Sequence, residues 1–185
     1  MGTKKASFLI AMPSLQASMF AHSVILMAEN NEDGALGFIV NQETGAKLDE
    51  ALALLNLHSV GGEAVPLLLG GPVQTDFFWL LHEPTLVSKQ SMLVSQDYVV
   101  SSASEVLAIA EPKERPLIYL AGIGYAGWGP GQLEREIEEG AWWQAELGLD
   151  LLLETPLADR WQKAFEALGV EHLIDNSDFR DPVVN

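Results

Sequence analysis

The segment LIYLAGIGYAGWGPGQLEREIEEG, residues 117–140, constrains this chain more than any other stretch. It opens on a short apolar run, 117–121, closed by glycine, and such a run fits a strand buried on both faces. A glycine-rich loop carrying Tyr125 and Trp128 follows, and the loop runs into a helix. Pro130 suits the first helical position, where the missing N–H costs nothing and φ is already helical. Leu133 and Ile137, four apart, share one helix face, while Glu134, Glu136 and Glu138 take the rest of the surface. Gly140 is placed to end the helix, and carboxylates in its first turn complement the positive end of the dipole.

Gly122, Gly124 and Gly127 match G-x-G-x-x-G, and strand, glycine loop and helix are the parts of a phosphate cradle. The apolar run 149–153, ending at Glu154, reads as the second strand with the acidic residue that such a fold requires. Three details oppose a dinucleotide site. That fold begins its helix inside the fingerprint, whereas Trp128, Gly129 and Pro130 intervene here. No Lys or Arg lies between Arg115 and Arg135, and repeated βαβ units are missing. The favoured reading is a tight turn in which Trp128 and Tyr125 plug the core and glycines permit positive φ. Trp128 is therefore expected to be buried. The alternative is a small-ligand or enzyme site on this loop, because loops on rigid scaffolds often carry function. Its candidate residues are Asn41, Gly71, Gly124, Tyr125, Gly127, Trp128 and Gln132.

The remaining patterns point to α+β rather than a doubly wound sheet. Residues 7–12 read as a first strand that Pro13 ends. Apolar runs at 23–28 and 35–40 flank an Asp33-Gly34 turn, the signature of an antiparallel hairpin. The acidic loop between them resembles a calcium loop, but its twelfth position is Val40, not Glu. A helix is expected over 47–57 and a loop over 58–66 with a Gly61-Gly62 break. Strands are expected at 67–69 and 77–81, with weaker ones at 92–94 and 98–100. Ser102 and Glu105 form an S-x-x-E capping box for a helix ending before Pro112. Leu157, Trp161, Ala164, Phe165 and Leu168 follow a 3.6 period in a helix opened by Thr155-Pro156 and closed by Gly169. The tail after Asp175 is polar and reads as loose.

Length and charge narrow the function. A chain of 185 residues reads as one domain, 1–185, able to bury a core without disulfides or metals. It has no cysteine, which removes thiolate catalysis and Cys-based metal or iron–sulfur sites. The net charge of −16 opposes direct binding to nucleic acid or to an anionic membrane surface. The apolar run 8–12 is too short for a secretory signal, and no run approaches the roughly 20 residues of a span. A cytoplasmic location is the expectation. None of the four histidines has a metal-binding spacing, and no metal or cofactor is expected. His82, at a strand end near Asp76 and Glu83, reads as a structural hydrogen-bonding residue. No G-x-S-x-G elbow occurs, and the 134–139 glutamates are spaced as a solvated helix face.

The segment GYAGWGPGQLEREI resembles the most distinctive stretch of the AlgH/YqgE family of bacterial proteins. FLIAMPSLQ at 8–16, FAHSV at 20–24, ENNEDGALGFIVNQ at 29–42 and GGPVQ at 70–74 agree in order. LLH at 80–82, AWW at 141–143 and RWQKAFEALGV at 160–170 continue the match over nearly the whole chain. The resemblance implies an α+β fold: a mixed, largely antiparallel bifurcated sheet with a small barrel-like part, surrounded by helices. It implies little chemistry. Members are mostly uncharacterised, one is regarded as a regulator of alginate synthesis, and no catalytic residues carry over. Gln42 departs from the family, where Arg often follows the Asn, so an anion role for that position does not transfer. The expected function is regulation through unidentified protein partners, more non-enzymatic than enzymatic.

Overall fold

The structure is a computed structural model that describes residues 5–54, 56, 65–110 and 116–173. The chain begins with strand β1 (Lys5–Ala11) and a 3-10 turn at Pro13–Leu15. The expected hairpin follows as β2 (Val24–Asn31) and β3 (Gly34–Ile39), antiparallel, with Asn31 opposite Gly34. Asn31 Oδ1 accepts the Asp33 N–H at 2.9 Å, so the side chain closes the turn. Next come β4 (Glu43–Lys47), helix α1 (Leu48–Leu54), β5 (Pro66–Leu69) and β6 (Val73–His82). Then β7 (Met92–Leu93), β8 (Val99–Ser102), α2 (Ala103–Ile109) and β9 (Ile118–Trp128) follow. The chain closes with α3 (Gln132–Glu138), β10 (Trp142–Gly148), α4 (Leu149–Leu153) and α5 (Arg160–Leu168). The Gly61-Gly62 break, Pro112 and the tail after Asp175 lie outside the described residues.

Ten strands form one curled, half-barrel sheet with five α-helices among the described residues. The path is β10-β1-β2-β3-β9-β6-β8-β7, all antiparallel. Strand β9 is where the sheet divides. Its first half pairs in parallel with β5 (Leu67 opposite Ala121, Leu69 opposite Ile123), and its end pairs with β3 (Ala35 opposite Trp128). On its other edge β9 carries β6 along most of its length. The bifurcated, largely antiparallel α+β architecture expected from the resemblance is thus present.

Three apolar clusters fill the spaces that this curl creates. The inside packs Phe8, Leu26, Phe38, Trp79 and Leu81 against Trp161 and Phe165 of α5. The outer face of the β1–β2–β3 part packs Ile25, Ile39 and Trp128 under Leu133 of α3. The outer face of the other part packs Leu80 and Ala121 under α1 and α2. Helix α5 is pinned to the sheet by polar bonds as well as by burial. The Trp161 indole N–H donates to the Ala11 carbonyl at 2.8 Å, and the buried Arg160 guanidinium donates to the Val40 and Thr155 carbonyls. Burial lowers the Arg160 pKa to about 10.

Several expectations need correction. Residues 122–128 form the second half of β9, not a loop. Helix α3 starts at Gln132 after Gly131 at φ 69°, so Pro130 sits in the turn before it and not at its first position. The run 149–153 is helix α4, with Leu149 and Leu152 turned into the core, rather than a second strand. Ser102 precedes α2, but its hydroxyl contacts Ser104 Oγ at 2.9 Å and makes no cap bond, so the capping box does not form.

Candidate functional site

The glycines of the 122–132 stretch sit where chain segments cross closely. A Cβ on Gly122 would overlap the Trp79 ring, and one on Gly71 would overlap the Tyr125 backbone. Gly124 has φ 67° and lies just where β9 leaves β5 and turns to β3. A bend of this kind favours a residue without a Cβ. The Gly124 carbonyl accepts the Trp79 indole N–H at 2.9 Å, within the core. The fingerprint glycines therefore fit a strand crossing, not a loop that opens onto a helix N-terminus.

Beyond the strand, the aromatics converge on one carboxylate. Glu136 Oε2 accepts the indole N–H groups of Trp128 at 2.9 Å and Trp142 at 2.8 Å. Its Oε1 accepts Gln132 Nε2 at 2.9 Å, and Gln132 Oε1 accepts the Gly129 N–H at 3.1 Å. Burial alone would raise the Glu136 pKa, but hydrogen bonds from Trp142, Gln132 and Trp128, with Arg135 nearby, outweigh it and leave the pKa lowered. Trp128 is 7% exposed, as expected. The two indoles meet edge to face at 6.0 Å.

The seven candidate residues thus fall into three groups. Gly71, Gly124, Tyr125 and Gly127 lie around the strand crossing, with the Tyr125 ring against Phe77. Trp128 and Gln132 belong to the Glu136 clamp. Asn41 is separate: its Oδ1 accepts the Val24 N–H and its Nδ2 donates to the His22 carbonyl, both at 2.8 Å. The polar side-chain atoms of Asn41, Trp128 and Gln132 are engaged by the fold itself.

A different place combines open space with polar chemistry. A groove of about 510 Å³ runs between the 88–90 turn (Ser88, Lys89, Gln90) and the Ser104, Glu105 and Ile109 side of α2. Ser88 Oγ donates to Glu105 Oε2 at 2.6 Å and lies 3.2 Å from Ser91 Oγ. Ser91 Oγ lies 2.6 Å from Ser101 Oγ, which lies 2.9 Å from Nε2 of the buried His82. His82 Nδ1 is 2.7 Å from the Glu83 carbonyl, so the strand-end hydrogen bond expected for this histidine is present. Burial, the largest influence, lowers the His82 pKa, while the Glu83 carbonyl and carboxylate act the other way. Among the described residues, no group of three His, Asp or Glu side chains is placed to hold a metal ion. No helix among them is long and apolar enough to cross a membrane.

The AlgH-like family model (DUF179) matches residues 8–173. This chain belongs to the AlgH-like family. A UPF0301 protein of Thioalkalivibrio sulfidiphilus is 42% identical over 165 residues, 89% of each chain. The UPF0301 protein YqgE of Escherichia fergusonii is 37% identical over 172 residues, 90% of this chain and 92% of that one. The solution structure of AlgH from Pseudomonas aeruginosa superposes with a TM-score of 0.73 at 32% identity, covering 89% of this chain and 88% of that one. Protein DIP2367 of Corynebacterium diphtheriae shares the fold, with a TM-score of 0.70 at 22% identity.

Within this AlgH-like chain, sequence reasoning missed the groove. Ser88, Ser91, Ser101 and Glu105 have no motif spacing; the fold alone brings β8, α2 and the 88–91 turn together. The one local signal, Glu105 three residues after Ser102, pointed to a cap instead. Glu105 accepts from Ser88, seventeen residues away.

Proposed function

We propose that this protein works without a reaction of its own, as a regulator that docks to protein partners through the groove beside α2. One observation carries the reading. Val87, Leu93 and Ile109 are 57%, 65% and 57% exposed; Ile109 lines the groove, and Val87 and Leu93 lie one and three residues from the 88–90 turn that walls it. Large apolar side chains left in water beside a concave surface are the usual mark of a protein contact.

The net charge of −16 favours a partner that presents a basic surface. Any effect on transcription is indirect, because a protein this acidic is repelled by the DNA phosphates it would have to neutralise. A cytoplasmic location belongs to the same proposal. The test is capture of partners from the source cells by the native protein and by Leu93→Glu/Ile109→Glu. The native form is expected to retain a partner at low salt and the double variant to lose it while staying folded. Equal capture by both forms would contradict this docking face.

A further inference from the structure

We propose that His82, Ser101, Ser91 and Ser88 form a hydrogen-bond relay that reports protonation of the buried imidazole to the Glu105 wall of the groove. The inference is independent of what the groove binds.

Counting protons along the chain gives the mechanism. The Glu83 carbonyl can only accept, so His82 Nδ1 carries a hydrogen and donates to it. In the neutral imidazole Nε2 then accepts, and the Ser101 hydroxyl points at it. Ser101 Oγ in turn accepts from Ser91, while Ser91 Oγ also accepts the Ser88 N–H at 2.8 Å. Ser88 directs its proton the other way, to Glu105. No proton is left for the Ser88–Ser91 contact. That contact is the longest link, 3.2 Å against 2.6, 2.6 and 2.9 Å for the others.

Protonation changes the direction of the chain. With a hydrogen on both ring nitrogens, Nε2 donates to Ser101, Ser101 donates to Ser91, and Ser91 donates to Ser88. Ser88 still donates to the Glu105 carboxylate. Two hydroxyls rotate, the Ser88–Ser91 pair becomes a hydrogen bond, and the 88–91 turn tightens against α2. All four links then run from cation to anion, an arrangement in which each bond polarises the next.

The surroundings of His82 leave few competitors. Its own strand ends at His82, and Glu83 follows it. Across the groove, α2 brings Glu105 and the 88–90 turn brings Lys89. The paired residues on β8 and β9 are Val99 and Ile118, and Tyr119 packs on Tyr98 within the inside cluster. Helix α1, on the same outer face as Leu80, leaves Asp49 and Glu50 exposed. Burial holds the imidazole below its ordinary pKa of 6.5, so the relay switches on the acid side of neutrality.

The test is a pH titration by NMR of the whole protein, following the His82 ring and the Glu105 side-chain carboxyl carbon together. His82→Gln assigns the ring signals. The expected result is a step in the Glu105 carbon at the His82 midpoint. In Ser91→Ala, and in Ser88→Ala from the more exposed end, His82 still titrates but the Glu105 step at that midpoint disappears. The relay is wrong if the native protein lacks the step, if either variant keeps it, or if His82 stays neutral until the protein unfolds in acid.

Discussion

The Trp142 indole N–H lies 2.8 Å from Glu136 Oε2, and this contact ties β10 to α3. Trp128 reaches the same oxygen from the end of β9, so one carboxylate joins three elements. The GWGPGQLEREIEEGAWW segment is, on this geometry, a clamp that closes the outer cluster over β1, β2 and β3.

Removing that carboxylate leaves two buried indole donors without an acceptor. Glu136→Ala is expected to cost about 2 kcal/mol, at the lower range for hydrogen bonds to a charged group because Glu136 is half-exposed. Glu136→Gln keeps an acceptor oxygen and is expected to cost about half of that. Urea denaturation of the three proteins, with equal slopes, checks the order.

The same carboxylate gives a pH dependence with a definite sign. Its folded pKa lies below the ordinary 4.5, so the unfolded chain binds the proton more readily. The stabilisation is fully present above the unfolded value and is lost as pH falls through the folded one. The stability gap between native protein and Glu136→Gln should therefore shrink between about pH 6 and pH 3. A gap that stays constant over this window would show that the clamp does not depend on charge.

Close approach at the strand crossing predicts unequal glycine substitutions. Gly122→Ala drives a methyl into the fully buried Trp79 ring and is expected to cost about 3 kcal/mol. Gly140→Ala meets nothing within 4 Å and suffers only its φ of 77°, a cost of about 1 kcal/mol. Thermal unfolding of the two variants distinguishes them, and similar losses would undercut the packing explanation.

What the sequence could say depended on whether the cause was local. The β2–β3 hairpin was legible because two apolar runs flank a polar break, although its turn residues are Glu32 and Asp33 and Gly34 already opens β3; Gly169 closes α5 at φ 69° as its position promised. The 122–128 stretch was misread because glycine usually marks loops, whereas here it marks a strand that passes close to Trp79 and Gly71. A short, largely apolar run fits strand or helix equally, and packing against β10 and α5 accompanies the helical form of 149–153. Strand β10 was missed because its burial alternates irregularly, with Trp142 buried on the outer face and Ala145 and Leu147 on the inner one. The His82 relay joins residues up to 23 positions apart, and no spacing rule could have assembled it.

The central claim is that partners dock at the α2 groove, and amide hydrogen exchange on a purified native complex tests it most directly. Added protection is expected in 87–93 and in α2, with β4 and α3 unchanged. Protection confined to β4, α3 or the 122–132 stretch, with the groove amides exchanging as in the free protein, would contradict it.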